Sequence, residues 1–146
     1  MDHLVRAQEA MVHALRSELA VKPIVSSQRE LLDYLAADMA NLMTERVRIL
    51  HLNTQNRLIR DEVMSEGTID QTSFHVREIV RRAIELGSAS IIVVHNHPSG
   101  SSHPSTPDII STRRLFHACD TLGIALIDHI VIASDGSCSF RALGLV

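Results

Sequence analysis

Ile91-Ile92-Val93-Val94-His95-Asn96-His97-Pro98, then the loop Ser99-Gly100-Ser101-Ser102-His103-Pro104, then Ser105-Thr106-Pro107-Asp108, is the stretch that decides how this chain folds. Four branched aliphatics in a row have the character of a buried strand. Residues two apart on a strand point to the same side, roughly 6.6 Å apart at ~3.3 Å per residue. His95 and His97 at the strand's end therefore suit one metal, since Zn–N bonds are about 2.0–2.1 Å. The Pro/Gly/Ser segment cannot continue a strand and reads as a turn and loop. Ser105 or Thr106 can then cap a helix, with Pro107 at its first position and Asp108 in its first turn. A helix N-terminus keeps such a carboxylate ionised, the state a metal ligand needs. Three protein ligands leave a fourth tetrahedral position open, the catalytic rather than the structural pattern of zinc.

Working outward, residues 2–20 have helical spacing, with Leu4, Ala7, Met11, Ala14, Leu15 and Leu19 on one side, and Pro23 ends the segment. Ser27-Gln28-Arg29-Glu30 is a capping box. It opens a second helix to about residue 43, whose apolar face is Leu31, Leu32, Leu35 and Met39. Strands follow at about 46–53 and 57–65, joined at Thr54-Gln55-Asn56 as a hairpin. A helix over 76–86 turns Val76, Ile79, Val80, Ala83 and Leu86 inward and ends at Gly87. The strand at 89–95 delivers the histidine pair. A helix over 107–122, a strand over 124–133, a turn at Ser134-Asp135-Gly136 and a strand over 137–142 complete the chain. The order α-α-β-β-α-β-α-β-β predicts a three-layer α/β domain with a mixed sheet. The expected division is a helix and linker over 1–24 and a single domain over 25–146.

The spacing of His95-x-His97-Pro98, with Ser105 and Asp108 downstream, resembles the JAMM (MPN-type) zinc metalloprotease signature. The string His95-Asn96-His97-Pro98-Ser99-Gly100, with Pro104-Ser105 and Asp108-Ile109, resembles the bacterial RadC family in particular. So do Leu52-Asn53-Thr54-Gln55-Asn56, Gly67-Thr68, Arg77-Glu78 and Leu126-Ile127-Asp128-His129. This resemblance implies a fold of the cytidine-deaminase-like kind, and zinc (Zn2+) held by His95, His97 and Asp108. It implies Ser105 as hydrogen-bond donor to the tetrahedral intermediate, and an upstream glutamate that holds the water on the zinc. Glu45, directly before the first strand, is the best match for that glutamate, with Glu62 and Glu66 as competitors. The activity implied is hydrolysis of a peptide or isopeptide bond, with zinc-activated water attacking the carbonyl of a peptide or protein substrate. Two features depart from the family's pattern. Full-length members carry a further N-terminal helix-hairpin-helix-like region, whereas only two helices fit before the first strand here, as in a trimmed or short member. The zinc loop also carries His103.

Each of these residues has a plainer role beside the chemical one. Ser105-x-x-Asp108 is itself a helix cap, and capping would fix the carboxylate's direction. Glu45 can be a solvated residue at a helix–strand junction; chemically, a carboxylate not bound to the metal serves well to move a proton from water to a leaving amine. His129 follows Asp128 in an apolar strand, where neighbours face opposite ways, so the two are read as no dyad. His103 reads as an exposed loop residue; as a fourth ligand it would make the metal structural. The zinc-dependent deaminases have His-x-Glu with Pro-Cys-x-x-Cys, and this chain has neither.

The 146 residues are one domain's worth. The apolar stretch at 89–94 is far too short to span a bilayer, and Met1-Asp2-His3 opens no signal pattern, so a cytoplasmic protein without membrane contact is expected. Cys119 and Cys138 are too few and too far apart for a zinc or redox motif, and read as small apolar residues. The net charge of −3 argues against a nucleic-acid partner. Arg81-Arg82 sits on a predicted helix, where Arg81 can meet Arg77 and Glu85 on one ion-paired face. The first two helices extend the domain or serve a homodimer contact. The function read from the sequence is a zinc-dependent hydrolase. The alternative is a zinc-containing protein- or DNA-associated binding module without turnover.

Overall fold

The computed structural model describes residues 3–21, 28–67 and 75–146. In chain order it holds α1 (His3–Val21), α2 (Gln28–Met39), β1 (Arg46–Leu52), β2 (Leu58–Glu66), α3 (Val76–Leu86), β3 (Ser90–Asn96), α4 (Thr106–Thr121), β4 (Ala125–Ala133) and β5 (Gly136–Ser139). The five strands form one mixed sheet in the order β2-β1-β3-β4-β5. Only β3 and β4 run parallel, joined through α4 as a β-α-β unit; the remaining neighbours are antiparallel.

Both sheet faces are covered, which is why the central strands are continuous apolar runs rather than alternating ones. Leu50, Leu52, Ile92, Val94, Ile130 and Ile132 meet Leu31, Tyr34, Leu35 and Met39 of α2. On the opposite face Val47, Ile49, Ile91, Val93 and Leu126 meet Ile79 and Ala83 of α3 and Leu115 and Cys119 of α4. The result is the three-layer α/β arrangement expected from the element order. Cys119 is buried, where desolvation pushes its thiol up to about 11, and neither it nor Cys138 is in a disulfide. Gly87 ends α3 at φ 67°, in the left-handed conformation that suits glycine.

Three local expectations change. The inward stripe of α1 is not the one that starts at Leu4. Leu4 and Met11 are exposed, and Val12 and Leu15 meet the core. α1 rests mainly on the short helix α2, with Gln8 Nε2 donating to Ala37 O at 2.7 Å, so one narrow stripe decides its rotation. Second, α2 ends at Met39, four residues early. A turn with Leu42 N donating to Met39 O at 3.3 Å follows, and Asn41, a weak helix former, lies in it. Third, α4 starts at Thr106, so Pro107 occupies its second position. Pro23, the Ser27 cap and Thr68 lie outside the described residues, as does the side chain of Leu19.

On the α3 face, Arg81 pairs with Glu78 at 2.7 Å and with Glu85, while Arg82 takes Glu62 at 2.6 Å and Glu85 at 3.1 Å. Arg81 was expected beside Arg77 and Glu85; of these only Glu85 is a partner, with Glu78 one turn away taking the other side.

His51 on β1 is fully buried, with Nδ1 2.8 Å from Ser88 Oγ and Nε2 making no hydrogen bond. Burial lowers its pKa to about 4, against about 6.5 in the unfolded chain. Above pH 6.5 the ring is neutral in both states and contributes nothing. As pH falls from 6.5 towards 4, the unfolded chain takes up a proton that the folded ring refuses, so stability drops. Thermal unfolding at pH 7, 6 and 5 is expected to show a smaller fall for His51→Leu than for the parent. Equal slopes for both proteins would refute this.

Candidate metal centre

The β3-α4-β4 connection explains how distant residues meet. A parallel crossover returns the N-terminus of α4 to the C-terminal end of β3, where α/β sheets place their ligands. Asp108, in the first turn of α4, thereby comes back onto His95 and His97. Its Oδ2 lies 3.1 Å from His97 Nε2 and its Oδ1 3.3 Å from His95 Nε2; the two ring nitrogens are 2.9 Å apart. Tetrahedral zinc with bonds of about 2.0–2.1 Å keeps its ligand atoms roughly 3.3 Å apart, so the triangle has the right size.

Ser105 caps α4 as the sequence indicates. Asp108 N donates to Ser105 Oγ at 3.1 Å and Ser105 N donates to Asp108 Oδ2 at 3.0 Å, a reciprocal capping box. That box fixes the direction of the carboxylate. The cap uses Ser105 Oγ as an acceptor, which leaves its hydroxyl hydrogen to donate.

Strand register brings in Glu45. β1 lies antiparallel to β3 with Val47 opposite His95, so the residue two before Val47 lies opposite the residue two after His95. Glu45 Oε1 is 3.8 Å from His95 Nε2, and the donor atoms of Glu45, His95 and His97 all lie within 4.8 Å of one another. The competing glutamates are held elsewhere: Glu62 by Arg82, which keeps its carboxyl down at about 2, and Glu66 by Arg46 at 2.7 Å. His103 is exposed on the loop and outside the cluster.

Asn96, between the two histidines, was assigned no role in the sequence. It is 1% exposed and faces the opposite way, where it clamps the backbone on both sides of Glu45. Arg46 N donates to Asn96 Oδ1 at 2.7 Å, and Asn96 Nδ2 donates to Thr44 O at 2.9 Å. Gly67 N adds a bond to Glu45 O at 3.0 Å. Only the pairing of β1 with β3 reveals this clamp. His129 is also closer to the site than its sequence suggested: its Nε2 lies 2.6 Å from His95 Nδ1. Asp128 beside it points to the other face and ties the β5 corner, its Oδ1 accepting from His129 N and Arg141 N and its Oδ2 from Ser139 Oγ. The two side chains form no dyad.

The polar balance of the cluster asks for a cation. His97 Nδ1 faces the carbonyl of Ser101 at 2.9 Å, a group that only accepts, so the ring's hydrogen is there and Nε2 offers a lone pair. That lone pair, a carboxylate from Asp108 and another from Glu45 all face one small space. Glu45 Oε1 and Asp108 Oδ1 are buried and accept no hydrogen bond, a state native structures avoid unless something else satisfies the group. Burial, then the charge of Asp108, pushes the Glu45 carboxyl up to about 7. Burial also works against Asp108 as an anion, but His95 and His97 beside it outweigh that and hold its carboxyl well below the usual range. Burial lowers His95, whereas Asp108 raises the proton affinity of His97. The residues present thus fit a divalent metal with N/O preference.

The model of the RadC-like JAB domain matches residues 25–145 of this chain. The chain belongs to that family. Its fold is accordingly that of the JAB/MPN domains, with the mixed five-stranded sheet described above. Two relatives carry the name UPF0758 protein. The RadC-like chain is 45% identical to the one from Rhodobacter capsulatus over 146 residues, all of this chain and 68% of that protein. It is 42% identical to the one from Ruegeria pomeroyi over 137 residues, 93% of this chain and 61% of that protein. The chain therefore spans between three fifths and about two thirds of these relatives' length. Among the described residues of the RadC-like domain, no helix is long and apolar enough to cross a membrane.

Proposed function

We propose that this RadC-like domain is a zinc-dependent hydrolase of the metallopeptidase or isopeptidase kind, with His95, His97 and Asp108 as the zinc ligands. The observation that carries the reading is a crowd of acceptors with too few donors. Two imidazoles and two carboxylates converge at the end of β3, and two of the carboxylate oxygens are buried without a hydrogen bond. Asp108 is preferred to Glu45 as third ligand because its oxygens lie closer, at 3.1 and 3.3 Å against 3.8 Å, and because its charge is the better held. Zinc, when bound, supplies a Lewis acid that polarises a carbonyl and lowers the pKa of water to about 7.

The chain's own groups supply the rest. Glu45 Oε1, next to but outside the ligand triangle, takes a proton from the attacking water and delivers it to the leaving amine. The Ser105 hydroxyl donates to the oxyanion as it forms; such a donor typically contributes ~100- to 1000-fold in turnover. Asp108 keeps its orientation through the α4 cap, and Asn96 holds the Glu45 backbone against β3. A peptide or protein substrate and a cytoplasmic setting belong to the same proposal.

Elemental analysis after chelator-free purification tests the site, with His97→Ala prepared in parallel. About one zinc per parent chain and little in the variant are expected. His97 is the suitable choice because its side chain is the more exposed of the pair, 14% against 2% for His95, and circular dichroism checks the variant's fold. No zinc in either protein after reconstitution would remove the hydrolase reading and leave a binding module in its place.

A further inference from the structure

We propose that Thr112 and His129 are positioning residues that fix the tautomer of His95 through a one-way chain of hydrogen bonds beginning at the main chain of Asp108. The proposal rests on the reading of His95 as a metal ligand. It goes beyond that reading by assigning how the ligand's lone pair is aimed.

Each link follows from what the previous one can do. The Asp108 carbonyl only accepts, and Thr112 Oγ1 lies 2.7 Å from it, so the single hydroxyl hydrogen is directed there. Thr112 Oγ1 is also 2.5 Å from His129 Nδ1 and must accept from it, which places the ring's hydrogen on Nδ1. The His129 ring is fully buried, and an imidazole carrying its hydrogen on Nδ1 offers a lone pair at Nε2. Its Nε2 is then bare and accepts from His95 Nδ1 at 2.6 Å. With its one hydrogen on Nδ1, His95 turns the lone pair of Nε2 towards His97 Nε2 at 2.9 Å and Asp108 Oδ1 at 3.3 Å. The chain leaves the backbone of one ligand and ends on the side chain of another. It thereby couples the start of α4 to the end of β3 through β4.

The ring of His129 is held in the plane this requires. Phe140 stacks on it with centroids 4.2 Å apart and an interplanar angle of 25°. Phe140 N also donates to His129 O at 2.9 Å, so the residue that follows β5 carries the aromatic cover to the ring. An acceptor behind a ligating histidine fixes its tautomer and raises its basicity, and removing such a partner typically weakens metal binding ~10- to 100-fold.

Two measurements on the full chain test this. In the first, long-range 1H–15N spectra of the metal-free protein, labelled on histidine, report which nitrogen of His95 carries hydrogen. Nδ1 is expected. Hydrogen on Nε2 means the chain runs the other way and overturns the proposal. Thr112→Val keeps the side chain's shape and removes only the link at the start. His129 can then donate from Nε2, and the His95 hydrogen is expected to shift towards Nε2. An unchanged His95 spectrum in Thr112→Val contradicts the chain.

In the second, zinc affinity is read by competition with a chromogenic chelator. His129→Leu is expected to lose ~10- to 100-fold, whereas His129→Gln, which can present an amide oxygen near the former Nε2, regains most of it. Leucine and glutamine variants that fold and bind alike would count against the assignment. Should the leucine variant fail to fold, Thr112→Val carries the affinity test alone. A parent that takes up no zinc would defeat the hydrolase reading, while the His95 spectrum still decides the tautomer.

Discussion

Glu45→Gln is expected to retain about one zinc per chain and to lose ~100- to 10,000-fold in turnover of any amide substrate the parent cleaves, the usual contribution of a positioned general base. The substitution preserves size and leaves the backbone clamp intact, because Asn96 and Gly67 hold main-chain atoms at Thr44, Glu45 and Arg46. It also removes a carboxylate that Asp108 repels, so the folded state should not suffer. Glu62→Gln and Glu66→Gln are the controls, and both should stay within a few-fold of the parent. Their carboxylates serve Arg82 and Arg46 on the sheet edge and do not reach the cluster. Survival of activity in Glu45→Gln with zinc in place would remove Glu45 as the base. A binding module would show the same partner capture in all three variants. Metal content and turnover therefore have to be measured on the same preparations.

What the sequence made legible at this site follows periodicity and local chemistry. His95 and His97 share a side because β3 is a strand, and Ser105 and Asp108 form a cap because α4 begins there. Those relations span a few residues, and local geometry suffices for them. The choice among Glu45, Glu62 and Glu66 does not, because all three lie in or beside the first two strands and only the pairing of Val47 with His95 brings one of them to the histidines. The same is true of Asn96, whose partners lie about fifty residues upstream, and of His129, which meets His95 only because β3 and β4 are neighbours. The rotation of α1 escapes periodicity for a related reason. Several apolar stripes are available on that helix, and its contact with α2 selects one.

Arg48→Ala is expected to cause the largest loss of stability, about 3–5 kcal/mol, the usual consequence of stranding one member of a buried ion pair. For a domain of this size that is a fall in Tm on the order of 10–20 °C. Arg48 lies on β1 with its side chain 2% exposed. Its Nε donates to Asp61 Oδ1 at 3.0 Å and its Nη2 to Asp61 Oδ2 at 2.5 Å, the two-pronged geometry that lysine cannot reproduce. Nη1 pairs with Asp38, and Nη2 also donates to the Tyr34 hydroxyl at 2.6 Å. Arg16 of α1 reaches the same hydroxyl, which in turn donates to Asp61; burial, then the charge of Asp61, pushes Tyr34 up to about 12. Two arginines and two aspartates therefore bind α1, α2, β1 and β2 around a tyrosine at net zero charge. Remove Arg48, and Asp61, only 6% exposed, keeps a charge that burial no longer tolerates. Arg48→Met combined with Asp61→Leu should recover much of the loss, because burying neither charge can be as favourable as burying both. Thermal melts of Arg48→Met, Asp61→Leu and the double variant measure that coupling; simple additivity would show that the pair does not act as a unit. Glu45 directly precedes the strand that this network holds. At temperatures where Arg48→Ala remains folded, its zinc content should match the parent's, because the histidines and Asp108 stand at the end of β3 and the start of α4.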